Sequence, residues 1–415
     1  MGHGASSMPH APFFGRLDTS FLETFSYFPA EFQSPLFMVQ IVVAPDSFKE
    51  CLTATQVALA ISEGIKRVVP EATITCIPFA DGGEGTVEAM VTATGGAIVE
   101  AASVDPLNRP IESFYGILGD GKTAIIEMAA ASGIELLAPA ERNPMITSTF
   151  GTGLLIRAAL NAGYTDLIVG IGGSATNDGG AGMAQALGFT LLDREGLPLD
   201  PGGGSLGDLQ SIDCSNVHRL LGEAIITVAC DVRNPLTGPL GATYTYGPQK
   251  GATPEMLETL EKNMVHFSQM LHQELGLNVS EIHGAGAAGG LGAGLMAFCR
   301  AEMASGFELV SELTHLEDHI REASLVFTGE GKIDAQTVFG KTVSGVARLA
   351  KKYKVPVIAL AGSVEGGVPE LYEQGITAIF AIGDPSMSLE ESKARASELL
   401  ADRAEEFMRT VKRNG

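Results

Sequence analysis

The stretch "IESFYGILGDGKTAIIEMA", residues 111–129, decides the architecture that the sequence predicts. Two β-rich apolar runs, "IESFYGIL" and "KTAIIEMA", flank a Gly-Asp-Gly turn, and no residues remain between them for a helix. Asp-Gly between two such runs is a strong β-hairpin signal. We therefore predict a hairpin within a region, from about 97 to 135, that breaks the strand–helix alternation found in the rest of the chain.

The same stretch contains "GILGDGKT", residues 116–123, which fits the phosphate-loop pattern G-x-x-x-x-G-K-[ST]. A phosphate loop needs a helix that starts at its lysine, so that the N–H groups of the helix start face the phosphate. Ile125 and Ile126 follow the turn at once, which favours a second strand. We interpret the segment as a hairpin and keep the phosphate loop as the alternative.

Elsewhere the chain alternates short apolar strands with amphipathic helices. We expect strands at 39–45, 73–81, 165–173, 224–231, 324–331, 355–362 and 376–384, each running into glycine, aspartate or proline. Such alternation implies right-handed crossovers and mostly parallel sheets, whose ligand sites lie beyond the carboxyl ends of the strands. Because 415 residues exceed one compact core, we expect an α/β protein of two domains.

Composition and charge exclude several classes of partner. A net charge of −22 argues against nucleic acid, although a local pocket on a negative body can still be positive. No apolar run approaches the roughly 18 residues of a membrane span. The five cysteines include no C-x-x-C pair, which argues against a disulfide framework or a zinc ribbon. Residues 1–37 lack the features of a secretory leader, so we expect a cytoplasmic protein with reduced thiols.

Two further motifs have weak structural context. "GAGAAG", residues 284–289, matches the dinucleotide pattern G-x-G-x-x-G, but the preceding "LGLNVSEIH" does not resemble a strand. "HLEDH", residues 315–319, spaces two histidines like a zinc motif but lacks the glutamate at its second position, so we interpret it as a solvated helix surface. From these residues alone, a small-molecule kinase, a dehydrogenase and a non-catalytic sugar- or acid-binding protein stay open.

From Met38 onward the chain resembles the class I glycerate kinases. The resemblance runs in order to the C-terminus through long motifs, among them "IVVAPDSFKECLTATQVALAISEGIKRVVP", "PFADGGEGTVEAMVTATGG", "IGGSATNDGGAGMAQALG", "ACDVRNPLTGPLGAT", "YGPQKGA" and "TGEGKIDAQTVFGKTVSGVARLAKK". Residues 1–37 are an N-terminal extension that the family pattern does not require.

The resemblance implies ATP-dependent phosphorylation of D-glycerate with Mg²⁺, giving 2-phosphoglycerate and ADP. The alternatives are a 3-phosphoglycerate product, another small hydroxy acid as substrate and, less favoured, an NAD-dependent dehydrogenase. The implied fold is a Rossmann- or flavodoxin-like parallel-sheet domain built from residues 38–96 and 300–415, with a mixed-sheet α/β domain of residues 97–299 inserted. The sequence leaves the oligomeric state open, with a homodimer among the alternatives.

A kinase positions two anions and neutralises charge, so glycine-rich backbone, a cation and carboxylates are the groups to seek at strand ends. "APDSFK" supplies Asp46, Ser47 and Lys49, and we expect Lys49 to hold a carboxylate or a phosphate, against the alternative of an ordinary surface lysine. "ADGGEG" adds Asp81 and Glu84 as candidate substrate or metal anchors, or as caps of the next helix.

The best candidate phosphate loop is "GIGGSATNDGGAG", residues 170–182. It follows a strand and precedes a helix, where free N–H groups and the helix dipole attract anions. We expect Asp178 to be a general base or a Mg²⁺ ligand, although a helix cap is the alternative. The expected cofactor-binding residues are Gly172, Gly173, Ser174, Thr176 and Asn177, assisted by Gly151 and Thr152 of "TFGTG".

Two later strand exits complete the candidate site. "CDVRNP" places Asp231 at a strand end as a catalytic residue and rival metal ligand, and Arg233 could pair with a substrate carboxylate. "TGEGKID" offers Glu330 and Lys332 for cofactor binding.

Overall fold

The computed structural model describes residues 39–49, 51–79, 82–338, 342–383 and 386–414. The extension expected at residues 1–37 and the candidate Asp81 lie outside these residues. The contacts divide the chain at Phe79 and again at Leu313 into two compact units. We call residues 39–79 and 314–414 the terminal unit and residues 82–313 the inserted unit.

Strands and helices alternate along most of the described chain. The strands are β1 Gln40–Val43, β2 Thr73–Cys76, β3 Ala97–Val104, β4 Pro110–Ile117, β5 Thr123–Glu127, β6 Asp166–Gly170, β7 Thr190–Leu192, β8 Ser211–Asp213, β9 Ile225–Ala229, β10 Glu302–Ala304, β11 Leu325–Ile333, β12 Val357–Val364 and β13 Ala378–Ala381. The α-helices are α1 Ala54–Val68, α2 Thr86–Thr94, α3 Ala129–Ser132, α4 Phe150–Asn161, α5 Ala181–Ala186, α6 Ala242–Tyr246, α7 Pro254–Leu275, α8 Leu291–Cys299, α9 Gly306–Leu313, α10 Leu316–Glu322, α11 Thr342–Tyr353, α12 Pro369–Gln374, α13 Leu389–Ala394 and α14 Ala396–Asn414. Each expected strand corresponds to one of these strands.

The terminal unit is built on a parallel sheet in the order β13-β12-β11-β1-β2. Numbered within the unit alone, that order is 2-1-3-4-5, the flavodoxin-like arrangement. The Rossmann- or flavodoxin-like prediction is therefore confirmed. The order reverses between β1 and β11, and in such sheets a ligand crevice lies beyond the carboxyl ends of the strands at that point.

Helix α1 shows how local sequence builds this unit. The Thr53 side chain accepts a hydrogen bond from the backbone N–H of Gln56, whose side chain accepts one in return, so a capping box starts the helix. The four apolar residues that share one helical face are all buried: Val57, Ile61, Ile65 and Val68. Gly64 lies on the same helix, and a Cβ there would lie 2.0 Å from the carbonyl oxygen of Ala401 in α14.

The inserted unit contains a mixed sheet in the order β10-β9-β6-β5-β4-β3. Strands β5, β6, β9 and β10 run parallel, whereas β3 and β4 pair antiparallel, and β4 pairs antiparallel with β5. This confirms the second, mixed-sheet α/β part of the predicted fold.

The turn that opened the sequence analysis is the hairpin between β4 and β5. The Asp120 carboxylate accepts hydrogen bonds from the backbone N–H groups of Lys122 and Thr123, at 2.8 Å and 3.0 Å, and from the Thr123 hydroxyl at 2.7 Å. Thr123 begins a strand instead of a helix, so no helix start faces a phosphate here. The hairpin prediction is confirmed, and the phosphate-loop alternative for residues 116–123 is wrong.

The two units divide at other positions than the expected domain boundaries, 96/97 and 299/300. Helix α2 belongs to the inserted unit because Val87 and Val91 on its face pack against Gly116 of β4. Strand β10 joins the same unit because it pairs with β9. The assignment of folding domains stays a prediction.

We expect Gly64→Ala to destabilise the terminal unit by about 1–3 kcal/mol, because an added methyl group must push α14 away from α1. The better helix propensity of alanine, about 1 kcal/mol, offsets only part of that cost. Urea unfolding followed by circular dichroism measures the effect. Leu59→Ala on the exposed face of α1, where Leu59 is 60% exposed, is the matched control and should change stability little. Equal stabilities of both variants and the parent protein would contradict the close packing.

Candidate functional site

A cleft of ≈ 420 Å³ lies at the carboxyl ends of the parallel strands in the inserted unit. Its walls come from the segments that follow β5, β6 and β9 and from the chain around α6 and before α8. The lining residues are Ile134, Arg142, Ile171, Gly172, Gly173, Ser174, Ala229, Cys230, Asp231, Val232, Tyr246, Gln249, Ala287 and Ala288. The structure therefore brings four predicted site residues together: Gly172, Gly173, Ser174 and Asp231.

The floor of the cleft requires glycine because two backbones touch there. The N–H of Gly172 donates to the carbonyl of Gly82 at 2.8 Å. A Cβ on Gly172 would lie 2.7 Å from the Cα of Gly83, and one on Gly82 would lie 2.7 Å from the carbonyl of Ala229. Gly82 of "DGGEG" and Gly172 of "GIGGS" are thus explained by this close approach.

Ser174 is held in place by a short bridge to residues 132–134. The N–H of Ile134 donates to the carbonyl of Gly173 at 2.9 Å, and that of Ala175 donates to Ser132 at 3.0 Å. In this register the N–H of Ser174 points away from Gly133. It donates to no backbone carbonyl among the residues that the structure describes. Ser174 is only 8% exposed. At the wall of the cleft it therefore offers two donors, its hydroxyl and its backbone N–H.

Lys250 lies beneath this loop and is only 1% exposed. Its ammonium donates to Ser174 Oγ and to the carbonyl oxygen of Thr176, both at 2.7 Å. Burial lowers the pKa of Lys250 to about 7, and the nearby Asp178 carboxyl opposes that shift. The motif "YGPQKGA" carried the family resemblance, but spacing alone could not show that its lysine reaches Ser174.

Asp178 is fully buried and serves as an anchor for two helix starts. Its Oδ2 accepts from the N–H and the hydroxyl of Thr149, each at 2.8 Å, and from the N–H of Gly182 at 3.2 Å. Its Oδ1 accepts from the N–H of Gly180 at 3.2 Å. Burial raises the pKa of Asp178, and these donors oppose the rise. The helix-cap alternative describes this geometry, whereas the general-base and metal roles stay predictions.

The remaining residues of the predicted phosphate loop are also buried. Thr176 Oγ1 and Asn177 Oδ1 have no hydrogen-bond partner within the described part of the chain, although Asn177 Nδ2 donates to Thr243 Oγ1 at 3.2 Å. Gly151 and Thr152 are packed at the start of α4, where the carbonyl of Gly151 accepts from Ser103 Oγ and the Thr152 hydroxyl donates to Ser132 Oγ. None of these four residues lines the cleft.

Asp231 faces both the cleft and the start of α9. Its Oδ1 accepts from Ser305 Oγ at 3.2 Å and from the N–H of Gly306 at 3.1 Å. The neighbouring Arg233 is exposed and does not line the cleft. Arg142, which sequence reasoning missed, does line it, and its Nε is buried without a partner in the described part of the chain. The sequence "ERNPM" around Arg142 matches no binding motif, so the sequence alone did not indicate a site there.

Glu127 is a buried carboxyl that sequence reasoning missed. It ends β5, is 2% exposed, and accepts a hydrogen bond from the N–H of Val87 at the start of α2 at 3.2 Å. Burial raises the pKa of Glu127 to about 7, with a smaller contribution from the carboxylate of Glu84, while N–H donors of α2 oppose the rise. Glu84 itself is exposed.

In the terminal unit, several polar side chains lie together where the strand order reverses, between β1 and β11. Asp46 Oδ1 accepts from the N–H of Ser47 at 2.7 Å, and Oδ2 accepts from Thr342 Oγ1 at 3.0 Å. Glu330 on β11 accepts from the Thr337 hydroxyl. Burial, supported by the Asp46 charge, raises the pKa of Glu330 to about 7, while the same hydroxyl bond lowers it. The predicted residues Asp46, Ser47 and Glu330 therefore share one neighbourhood.

The two predicted lysines of the terminal unit differ in surroundings. Lys332 pairs with Asp334 at 3.3 Å and with Glu365 at 2.8 Å on the surface. Lys49 lines a second cleft of ≈ 420 Å³ together with three glycines at the carboxyl ends of β11, β12 and β13. Those glycines are Gly331 within β11, Gly362 within β12 and Gly383 after β13.

The first of the two remaining motifs is a packing feature. A Cβ on Gly289 of "GAGAAG" would lie 1.9 Å from the carbonyl of Thr176, so this glycine lets the chain press against the loop before Asp178. No strand precedes it among the described residues from α7 onward, as expected. His315 precedes the short helix α10 and His319 lies within it, and both are exposed, as expected for a solvated helix surface. In the described residues, no cluster of three or more His, Cys, Asp or Glu could hold a metal ion, and no helix is long and apolar enough to cross a bilayer.

The fold and the cleft define an α/β protein with a glycine-walled cleft at the carboxyl ends of its parallel strands. The sequence profile described as the glycerate kinase family matches residues 41–412. The chain belongs to the glycerate kinase family and is a kinase.

Individual relatives agree over almost their full length. The chain is 50% identical to a glycerate kinase of Bacillus subtilis, over 90% of this chain and 98% of that protein. It is 50% identical to a glycerate 2-kinase of Escherichia coli, over 85% and 93% respectively. A crystal structure from Salmonella typhimurium LT2, assigned provisionally as glycerate kinase 2, matches with a TM-score of 0.80 and 47% identity, over 90% and 98% of the two chains.

Glu127→Gln should remove a pH dependence of folding stability. Because the pKa of Glu127 is raised from 4.5 to about 7, the neutral carboxyl stabilises the fold at acid pH. That contribution is lost as the pH rises through the folded-state pKa. Relative to the variant, the parent protein should therefore lose unfolding free energy between about pH 5 and about pH 8. Urea titrations at both pH values measure it, with the exposed Glu135→Gln as control. Parallel pH profiles for parent and Glu127→Gln would contradict the assignment.

Proposed function

We propose that this kinase transfers the γ-phosphoryl group of ATP to D-glycerate and forms 2-phosphoglycerate and ADP, with Mg²⁺ bound to the nucleotide. The observation that carries the proposal is the 50% identity, over 93% of its length, to the Escherichia coli protein named glycerate 2-kinase. The glycine-walled cleft of the inserted unit supports it, since phosphoryl transfer requires mainly positioning and charge stabilisation.

In the inserted unit, we assign the wall of Gly172, Gly173 and Ser174 to the phosphate groups. Glycine lets backbone approach the oxygens closely, and the hydroxyl and N–H of Ser174 are donors at the same wall. The buried residues Thr176 and Asn177 support this wall from behind.

Asp231 is the proposed Mg²⁺ ligand and catalytic carboxylate of this cleft. Mg²⁺ is commonly held by one or two carboxylates together with phosphate oxygens and water, so a single cleft-lining aspartate fits the ion. When bound, the ion supplies neutralisation of negative charge on the phosphate oxygens. We propose that Asp178 acts through the helix starts it anchors, because donors surround both of its oxygens.

The terminal unit is proposed to supply groups that recognise glycerate. Asp46 and Ser47 present oxygen atoms that can meet substrate hydroxyls, and Lys49 presents an exposed ammonium that suits a carboxylate. Glu84 and Arg233 are proposed to bind glycerate. The residues proposed to bind the nucleotide are Glu330, Lys332, Gly151 and Thr152.

The proposed reaction is tested by coupled measurement of ADP release with D-glycerate, ATP and Mg²⁺, followed by ³¹P NMR of the product. We expect ADP release to depend on all three components and the phosphorus signal to match 2-phosphoglycerate. A 3-phosphoglycerate signal would overturn the assignment of the hydroxyl. The absence of glycerate-dependent ADP release from the folded protein would overturn the proposed reaction itself.

Ser174→Ala should lower kcat/KM by about 10²-fold, the usual cost of removing one donor from a site of developing negative charge. Steady-state kinetics measure this loss. Lys122→Ala in the exposed β4–β5 hairpin is the matched control and should keep parental kinetics. If Lys122→Ala instead loses ATP affinity while Ser174→Ala remains normal, the cleft is not the phosphate site.

A further inference from the structure

We propose that Arg142, Ser174 and the buried Lys250 form an oxyanion subsite in the cleft of the inserted unit, in which Lys250 orients the Ser174 hydroxyl toward the ligand. This inference rests on the proposed function for the identity of its ligand, a phosphate group of the nucleotide or the carboxylate of glycerate. The contacts that define the subsite all lie in or beneath the cleft and do not depend on the proposed reaction.

The first support is the arginine at the wall of the cleft. Arg142 lines the cleft, and its Nε is buried without a hydrogen-bond partner in the described part of the chain. A buried donor without an acceptor costs free energy. A guanidinium suits carboxylate and phosphate because its fork of N–H donors matches two oxygens.

The second support is the direction of the hydrogen bonds around Ser174. In its protonated form Lys250 has only donors, so Ser174 Oγ accepts from the ammonium at 2.7 Å. The Ser174 hydroxyl proton therefore cannot point at Lys250 and remains available to an acceptor in the cleft. Lys250 thus acts as a positioning residue that makes Ser174 a donor to the ligand, without lining the cleft itself.

The third support is the way the two cationic residues are joined through the backbone. A Cβ on Gly251 would lie 2.2 Å from the carbonyl of Arg142, so the chain beside Lys250 touches the chain at Arg142. Ile134, which hydrogen-bonds Gly173, lines the same cleft. Arg142 and Ser174 are therefore held on one framework. Asp231 lines the cleft as well, where the start of α9 holds one of its oxygens.

The test measures binding by titration calorimetry, using ADP with Mg²⁺ in one arm and D-glycerate in the other. We expect Arg142→Met to weaken one of these ligands by about 10- to 100-fold and to spare the other, as loss of one charge-assisted contact implies. The ligand whose affinity falls is the one whose oxyanion occupies the subsite. The control is Arg194→Met, which removes an arginine whose side chain is 78% exposed in the same unit and should leave both affinities unchanged. Unchanged affinities in both arms for Arg142→Met would overturn the subsite.

The role of Lys250 is tested by a double-mutant cycle with Lys250→Met, Ser174→Ala and the double variant. If Lys250 acts through the Ser174 hydroxyl, the loss of affinity in the double variant should be far smaller than the combined losses of the single variants. Additive losses would overturn the positioning role.

Circular dichroism and urea unfolding show whether Lys250→Met folds. If it does not, Lys250→Arg replaces it in the cycle, and additive losses with Ser174→Ala again overturn the role. The binding arms remain informative even if glycerate-dependent ADP release is absent, because they measure oxyanion binding and not turnover.

Discussion

The structure of the inserted unit depends on a lysine ammonium placed where water cannot reach it. Removing such a charge from water costs several kcal/mol unless neighbouring groups replace the lost hydration. The protein supplies Ser174 Oγ, the carbonyl of Thr176 and the charge of Asp178. Each of these groups belongs to one loop after β6, so the requirement to satisfy Lys250 restricts the course of the loop that forms the wall of the cleft.

Glycines make this arrangement sterically possible. The loop after β6 is approached by backbone from two sides, at Gly172 by the segment of Gly82 and Gly83 and at Thr176 by Gly289. A side chain at Gly82, Gly172 or Gly289 would collide with main chain, which cannot move aside as a side-chain end can. The glycine content thus reflects a backbone-lined site, and the same backbone supplies the donors that a phosphate or a carboxylate needs.

The sequence predicted the features that depend on local pattern. Strand positions, the capped helix α1 and the β4–β5 hairpin follow from periodicity and turn chemistry, which neighbouring residues encode. The pattern also placed Gly172, Gly173, Ser174 and Asp231 at strand exits, which share one cleft in the structure.

The features that sequence reasoning missed depend on contacts between distant parts of the chain. Lys250 and Ser174 are 76 residues apart, and no spacing rule connects them. Arg142 is distinguished by its buried Nε, which has no hydrogen-bond partner in the described part of the chain. Glu127 is distinguished by its burial against the start of α2. Asp178 is the opposite case. Its position in a glycine-rich loop predicts a catalytic role, whereas its hydrogen bonds hold the starts of two helices.

The most direct test of this account is a crystal structure of the protein with Mg²⁺, a non-hydrolysable ATP analogue and D-glycerate. The account predicts a phosphate or carboxylate oxygen within hydrogen-bonding distance of Ser174 Oγ and of the Arg142 guanidinium, with Lys250 still bonded to Ser174. An occupied site elsewhere, with the cleft beside Ser174 empty of ligand, would contradict it.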